Sequence, residues 1–132
     1  MAKKIFLGNL LLLIGILTGC SGKEYLFVEP IDEIESIEIV SAESSLEYEV
    51  IKILSQEEKQ IFLDRFQKLP FRDYLGDPPS VYGRAIKINY QSGAYEMICF
   101  FSSEYVQDGV TRFLWKRCDE QNFNELLDAF LQ

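Results

Sequence analysis

The residue types that carry out most protein chemistry are missing from this chain of 132 residues or are few in number. The chain contains no histidine, which excludes Ser-His-Asp and Cys-His catalysis, imidazole ligation of haem and almost every catalytic zinc site. No glycine-rich phosphate loop occurs, because Gly76 and Gly83 do not have the required spacing. These absences predict a protein that is not an enzyme and that uses no cofactor and no metal.

Carboxylates are the one abundant reactive group, with 21 Asp and Glu residues. A pair of them could hydrolyse a glycoside, but most alternate with apolar residues in strand-like segments, as on a solvated face. Five acids in one short stretch suggest a calcium site, namely Glu29, Asp32, Glu33, Glu35 and Glu38. The spacing of an EF-hand is absent, so a solvated edge is the favoured interpretation.

The N-terminal segment has the composition of an export signal. Lys3 and Lys4 form a basic start, and an apolar run of thirteen residues, 5–17, follows them. A helix that crosses the hydrocarbon core of a membrane needs about 20 residues, so a permanent transmembrane helix is disfavoured. The segment is therefore predicted to be a signal peptide over residues 1–19.

The apolar run ends in Leu17-Thr18-Gly19-Cys20, which resembles the lipobox of bacterial lipoproteins at all four positions. The resemblance covers only this segment, and the remainder of the chain is not assigned to a family. It implies cleavage before Cys20 and attachment of lipid, with palmitate-like acyl chains, to that cysteine; two chains anchor a protein stably. We therefore expect a lipoprotein that is held to the cell membrane through Cys20 and faces outside the cytoplasm.

Charge and length narrow the range of partners. Removal of residues 1–19 leaves 113 residues, enough for one domain with one core. Lys3 and Lys4 leave with the signal, so 11 basic residues face 21 acidic ones and the net charge is −10. Such a surface repels phosphate backbones, which predicts no nucleic-acid partner. It also repels anionic lipid heads, so lipid rather than charge is expected to hold the protein at the membrane.

The periodicity of apolar residues predicts a single α+β domain over residues 30–132, preceded by a lipidated tether over residues 20–29. Strands are predicted at 35–40, 46–54, 86–90, 95–101 and 110–117, and helices at 56–69 and 119–131. The order β-β-α-β-β-β-α predicts an antiparallel sheet of about five strands with two helices packed on one face. In outline this order is similar to the TATA-binding-protein-like α+β sandwiches.

Two turns set the register of the last three strands, and this register decides whether Cys99 and Cys118 can form a disulfide. Ser92-Gly93 is predicted to be a two-residue loop. For the next turn, a two-residue loop at 108–109 would place Cys99 opposite Cys118, where export permits a disulfide. A three-residue loop at 107–109 instead turns Phe113 and Trp115 towards the core.

Burial of a large aromatic side chain contributes about 2–3 kcal/mol, and two of them rival a disulfide of about 2–4 kcal/mol. The three-residue loop is therefore favoured, with Cys99 in the core and both cysteines unpaired.

In the favoured register, six side chains point to the sheet face away from the helices, where we predict a partner surface. An apolar stripe is edged there by three positive charges, and the set is Ile98, Phe100, Leu114, Lys87, Arg112 and Lys116. Apolar area with a basic rim on an acidic protein is the composition expected of a contact site for an acidic partner. Alternatively, the loop that carries Phe71 and Tyr74 could simply cover the stripe.

These observations favour a membrane-anchored, non-catalytic binding or interaction module of the cell envelope, which meets another envelope protein or a small ligand. The alternative is a structural or accessory subunit of an envelope complex. A hydrolase that works through two carboxylates is disfavoured, because so many standard site types are missing.

Overall fold

The computed structural model describes residues 22–77 and 79–132, which form a six-stranded antiparallel sheet, a two-stranded ribbon and two helices. The strands are β1 (Ile34–Ala42), β2 (Tyr48–Ile53), β3 (Arg72–Asp73), β4 (Gly83–Tyr90), β5 (Tyr95–Ile98), β6 (Ser103–Gln107), β7 (Val110–Phe113) and β8 (Lys116–Arg117). The helices are α1 (Gln56–Phe66) and α2 (Glu120–Leu131). The sheet order is β2-β1-β4-β5-β6-β7, and β3 pairs with β8 in the ribbon. The predicted α+β class is confirmed, with six sheet strands in place of about five.

Both helices begin at side-chain caps that are readable in the sequence. Ser55 and Glu58 form a capping box, in which the Glu58 N–H donates to Ser55 Oγ over 3.2 Å and the Ser55 N–H donates to Glu58 Oε1 over 3.0 Å. α1 then ends at Phe66. Asp119 caps α2 by accepting a hydrogen bond of 2.9 Å from the Asn122 N–H.

The helices pack on one face of the sheet, as predicted, and the larger of two buried apolar clusters lies on this helix side. The stripe of α2 enters this cluster through Phe123, Leu126, Leu127 and Phe130. The opposite side of the sheet carries a smaller buried cluster, composed of Val40, Ala42, Val81, Ala85, Met97 and Cys99. The centre of the sheet is therefore covered on both faces.

The predicted register between β4 and β5 is wrong by one residue. Asn89 pairs with Tyr95, and the Tyr90 N–H donates to the Ala94 carbonyl over 2.9 Å, so the loop has three residues, 91–93. Because side chains alternate between the faces of a strand, a shift of one residue exchanges the two faces of β5. Ile98 consequently lies on the helix side, and Met97 lies on the opposite side.

A turn at residues 99–102 was not predicted, and it inserts β6 between the two strands that were expected to pair. The Cys99 N–H donates to the Ser102 carbonyl over 2.9 Å in this turn. β6 then pairs with β7 through a two-residue loop, in which Asp108 and Gly109 both have positive φ, 52° and 76°. The preferred three-residue loop at 107–109 is therefore wrong.

This topology also corrects the predicted burial of two aromatic side chains and decides the position of the cysteines. Phe113 and Trp115, which were expected to face the core, are both exposed. Cys99 is fully buried, as predicted, and Cys118 is buried too. Both are free thiols, because Cys99 stands at the turn rather than opposite Cys118 on a neighbouring strand.

The segment predicted to be a tether is part of the fold over its described residues, 22–29. Lys23 and Phe71 exchange two backbone hydrogen bonds of 2.7 Å, and a Cβ added to Gly22 would collide with Pro70. Tyr25 is buried among aromatic side chains beneath the helix side of the sheet. The lipobox and Cys20 lie outside the described residues. Within the described residues, the packed structure therefore includes Gly22, two residues after the predicted lipid attachment point.

Candidate functional site

The apolar half of the predicted partner surface is not an exposed stripe in the structure. Ile98 is 0% exposed and belongs to the helix-side core, and Phe100 is half-buried against the same core. Leu114 is half-buried, and its N–H donates to the Ser103 carbonyl over 3.0 Å. The cause is the register shift and the turn described above, which reversed the face on which these side chains were expected.

The three basic residues of that predicted surface do not lie together in the structure. The Arg112 guanidinium lies 5.2 Å from the centre of the Tyr105 ring, and Lys116 forms an ion pair of 2.7 Å with Asp73 in the ribbon. Lys87 is on the face away from the helices, as predicted, but it is occupied by neighbours and is not open to a partner.

Lys87 is held between two tyrosine rings and a carboxylate. Its ammonium group lies 4.7 Å from the ring centre of Tyr48, 4.6 Å from that of Tyr95 and 3.5 Å from Glu38 Oε1. Each of these contacts offsets part of the free-energy cost of removing the Lys87 ammonium group from water. Lys87 therefore stabilises the packing of β1, β2, β4 and β5 and does not serve as a binding group.

The most deeply buried polar cluster on the helix side surrounds the carboxyl group of Glu96. Glu96 Oε2 accepts a hydrogen bond of 2.6 Å from the Tyr25 hydroxyl, and Oε1 accepts one of 2.6 Å from the Val28 N–H. Oε1 also accepts a hydrogen bond from the Tyr90 hydroxyl. Two of the three donors come from the N-terminal segment, so this carboxyl group fastens that segment to the sheet.

Glu104 is a second buried carboxyl group, but it lies on the other side of the sheet. Its oxygens accept hydrogen bonds from the Val81 N–H over 2.8 Å and from the Ser45 hydroxyl over 3.3 Å. Glu104 pairs with Met97, whereas Glu96 pairs with Tyr105, so the sheet separates the two carboxyl groups. They therefore cannot act together as the acid and base of a hydrolase.

The Glu96 cluster predicts a pH dependence of stability. Burial raises the pKa of the Glu96 carboxyl group above its usual range, although the tyrosine hydrogen bonds partly offset this. The folded state then binds more protons than the unfolded state at pH values above about 4.3, the usual pKa of Glu. Stability contributed by this group is therefore present at low pH and is lost as the pH rises through the folded pKa. The free energy of unfolding of the wild type should exceed that of Glu96→Gln by a larger amount at pH 4 than at pH 8.

Urea denaturation of both proteins across this pH range measures the difference. The exposed Glu35→Gln is the control for loss of one surface carboxylate, and its difference from the wild type should change less with pH. If the stability difference between the wild type and Glu96→Gln stayed constant or grew with pH, the pKa of Glu96 would not be raised in the folded state.

The outer edge of the sheet at β2 carries several exposed apolar side chains. This strand pairs only with β1, so one row of its backbone N–H and carbonyl groups has no strand partner. Val50, Ile51 and Ile53 are 41%, 49% and 62% exposed along it. We call this strand, with its three exposed apolar side chains, the β2 edge.

The usual protection of an exposed sheet edge is weak at the β2 edge. Natural proteins often place lysine on such an edge to prevent pairing with other chains. Lys52, the only basic residue of β2, points instead to the helix side, where its Nζ donates to Glu58 over 2.8 Å and to the Phe130 carbonyl over 2.6 Å. A bulge opposite Ile39 and Val40 is the one device that interrupts the strand pairing.

Acidic side chains stand at the start of the β2 edge. A shallow surface cavity of about 330 Å³ lies there, and its lining residues are Ser41, Glu43, Glu47, Tyr48 and Glu49. Together with the exposed apolar residues, these carboxylates present an apolar strip with a negatively charged end. Such a strip is complementary to an extended, apolar segment that carries basic residues.

Other chemistries find little support in the part of the chain that the structure describes. No group of three or more Cys, Asp or Glu side chains there could hold a metal ion, and the acids from Glu29 to Glu38 do not converge on one point. Burial raises the thiol pKa of Cys99 to about 11 and that of Cys118 to about 12, so both are neutral and unreactive. No helix within the described ranges has both the length and the apolar character to cross a membrane.

Comparisons with protein-family models, with curated proteins and with solved structures found no match to this chain.

The β2 edge was missed by sequence reasoning, although a signal was present. The alternation in residues 46–50 correctly predicted a strand, and alternation normally indicates that one face is buried. The run Val50-Ile51-Lys52-Ile53 breaks that alternation with apolar residues on both faces. Such a run fits a central strand or an edge that binds a partner, and only the topology of the sheet distinguishes the two.

Proposed function

We propose that this chain is a lipid-anchored, extracytoplasmic interaction module of the cell envelope, which acts without catalysis and takes up an extended segment of another protein at the β2 edge. The lipobox segment that ends in Cys20 supports the location. The single observation that supports the activity is the weakly protected β2 edge, with its three exposed apolar side chains.

Addition of a strand is the binding mode that suits such an edge. The backbone groups of β2 that have no strand partner offer hydrogen bonds to an incoming strand, and the apolar side chains give contacts at alternate positions. The carboxylates of Glu43, Glu47 and Glu49 favour a segment with basic residues at one end. A second copy of this chain is a poorer partner, because two domains of net charge −10 repel each other.

A polypeptide is also a better fit than a small ligand. The surface cavities are open and have volumes of about 210–330 Å³, at or below the lower end of the range for drug-sized ligands. The β2 edge in contrast extends over six residues, a length of about 20 Å. An edge of this size favours an exchangeable partner over a permanent subunit interface, which is usually larger.

Lysine substitutions on the β2 edge test the proposal. Ile51→Lys combined with Ile53→Lys should reduce the amount of crosslinked envelope partner at least about tenfold, because lysine on an edge strand opposes strand addition. The matched control places two lysines on the other edge strand, through Val110→Lys and Thr111→Lys, both of which are exposed positions on β7. The control should retain its partner.

Both double variants should unfold within a few degrees of the wild type, since substitutions at exposed positions usually change stability by about 0.5 kcal/mol or less. Partner recovery after mild crosslinking in native cells is the measurement. Equal recovery with the β2 variant and the wild type would reject the β2 edge as the interaction site.

A further inference from the structure

The two-stranded ribbon of β3 and β8 concentrates positive charge at the place where the chain leaves towards Cys20. Arg72 and Arg117 are directly opposite each other in this ribbon, and Lys116 pairs with Asp73. Lys23 joins them through its backbone bridge to Phe71. We call Lys23, Arg72, Lys116 and Arg117 the basic ribbon. It contains four of the eleven basic residues that follow the signal segment, on a domain whose net charge is −10.

The pairing of Arg72 with Arg117 is unfavourable in the absence of an anion. Like charges directly opposite each other on neighbouring strands destabilise the pair. Neither arginine forms an ion pair with a residue in the described part of the chain, and Arg117 instead lies over the Tyr74 ring at 5.4 Å. Both arginines line an open cavity of about 270 Å³, which Asp119 and Glu120 also line. Two exposed guanidinium groups at one place suit a phosphate group, which they can bind in bidentate fashion.

Exposed apolar and aromatic side chains accompany these charges. Leu75 is 95% exposed, and Trp115 is 46% exposed. Trp115 has φ of 60°, an uncommon conformation for a bulky residue, and its carbonyl accepts a hydrogen bond of 2.9 Å from the Tyr74 N–H. Leu26, also exposed, lines a second cavity together with Lys23, Arg72 and Lys116, among others. Tryptophan and tyrosine beside lysine and arginine are the side chains that proteins place at the membrane–water interface.

The attachment point of the lipid brings this surface to the membrane. Cys20 precedes Gly22 by two residues in the sequence. Gly22 packs against Pro70, and Lys23 bridges to Phe71, which immediately precedes β3. A lipid on Cys20 would therefore bring the basic ribbon near the headgroups, where its charges can act on anionic lipid.

We propose that the basic ribbon, with Trp115 and Leu75, is the membrane-facing surface of this protein and that it binds anionic lipid headgroups while Cys20 holds the domain in place. The inference rests on the proposed lipid anchor. It adds an orientation, because the domain then lies against the bilayer on one defined side. Asp119 and Glu120 line the first cavity, and Glu24 and Asp73 line the second, so four carboxylates accompany the four basic side chains. The two arginines that form no ion pair in the described part of the chain, rather than a net positive charge, are the groups offered to the headgroups.

Trp115 is the only tryptophan of the chain, so its fluorescence reports on this surface alone. The mature, lipidated protein is reconstituted in phosphatidylcholine vesicles with and without phosphatidylglycerol, and brominated lipid serves as the quencher. We expect Trp115 fluorescence to fall at least about twofold more in the anionic vesicles, and high salt should remove the difference. Arg72→Glu with Arg117→Glu should abolish it. The control, Arg65→Glu with Arg112→Glu, makes the same change in net charge elsewhere and should retain it.

The outcomes separate the failure of the anchor from the failure of the orientation. The intact mass of the protein shows whether Cys20 carries lipid, and absence of lipid would overturn both. Lipidated wild type without anion-dependent quenching would overturn the orientation alone, as would equal quenching in the Arg72→Glu, Arg117→Glu variant. Arg72→Gln with Arg117→Gln, checked by thermal unfolding, replaces that variant if it does not fold. Loss of quenching on addition of millimolar inorganic phosphate at constant ionic strength would assign the site to a soluble anion and overturn the lipid assignment.

Discussion

Tyr25→Ala should lower the free energy of unfolding by about 3–5 kcal/mol, the cost of removing a large buried aromatic side chain. The Tyr25 ring packs against Phe66 and Phe71, with ring centres 5.3 Å and 4.9 Å away, and its hydroxyl donates to the buried Glu96. The substitution leaves both a cavity and a carboxyl group that has lost a donor. A loss of this size is a large share of the 5–15 kcal/mol that is typical of a whole domain.

Two further variants identify the cause of that loss. Tyr25→Phe keeps the ring and removes only the hydroxyl, so it should cost about 1–3 kcal/mol. Leu26→Ala changes the next residue, which is exposed, and should cost about 0.5 kcal/mol or less. Urea denaturation followed by circular dichroism measures all three. If Tyr25→Ala cost no more than Leu26→Ala, the N-terminal segment would be a tether after all and not part of the fold.

Cys20→Ser should have an all-or-none effect on processing and anchoring. Without the thiol, no diacylglyceryl group can be attached, so cleavage before residue 20 should fail and the precursor should keep residues 1–19. Metabolic labelling with a fatty acid, followed by measurement of the protein's mass, detects both results. Ser21→Ala leaves the four lipobox positions unchanged and should be labelled and cleaved as the wild type is.

Label of equal strength in the wild type and in Cys20→Ser would reject Cys20 as the lipid site. A cleaved but unlabelled wild-type protein would instead indicate an ordinary secretory signal. In that case the β2 edge would remain a candidate interaction site, but the membrane-facing role of the basic ribbon would be lost.

Local patterns in the sequence predicted both helices well. The capping box of Ser55 and Glu58 located the start of α1, and the apolar stripe from Phe123 to Phe130 located α2 and its buried face. Both signals depend on residues three or four positions apart, so short-range geometry determines them. The class of the fold followed from the order of these elements.

Strand register could not be obtained in the same way. A three-residue loop at 91–93, in place of the predicted two-residue loop at 92–93, reverses every side chain of β5, and both loops contain Ser92-Gly93. The turn at residues 99–102 carries no glycine or proline, so nothing in Cys99-Phe100-Phe101-Ser102 marked it as a break. The predicted partner surface depended on both points, which explains why Ile98 and Phe100 were expected outside and lie inside.

The docking of the N-terminal segment depends on a partner far away in the sequence. Tyr25 and Glu96 are 71 residues apart, and neither residue signals the other. A short stretch after a lipidated cysteine is read as a tether when its neighbours alone are considered. Only the cavity that the helices and the sheet leave for Tyr25 turns this stretch into part of the core.

Site-specific photo-crosslinking can detect directly whether the anchored domain binds an envelope protein at the β2 edge. A photoreactive phenylalanine analogue is placed at position 51 of the lipidated protein in native cells, and separately at position 110 on the opposite edge strand. We expect a discrete crosslinked protein from position 51, none from position 110, and loss of the crosslink when Cys20→Ser is added. No crosslink from position 51, or the same products from both positions, would contradict binding at this edge.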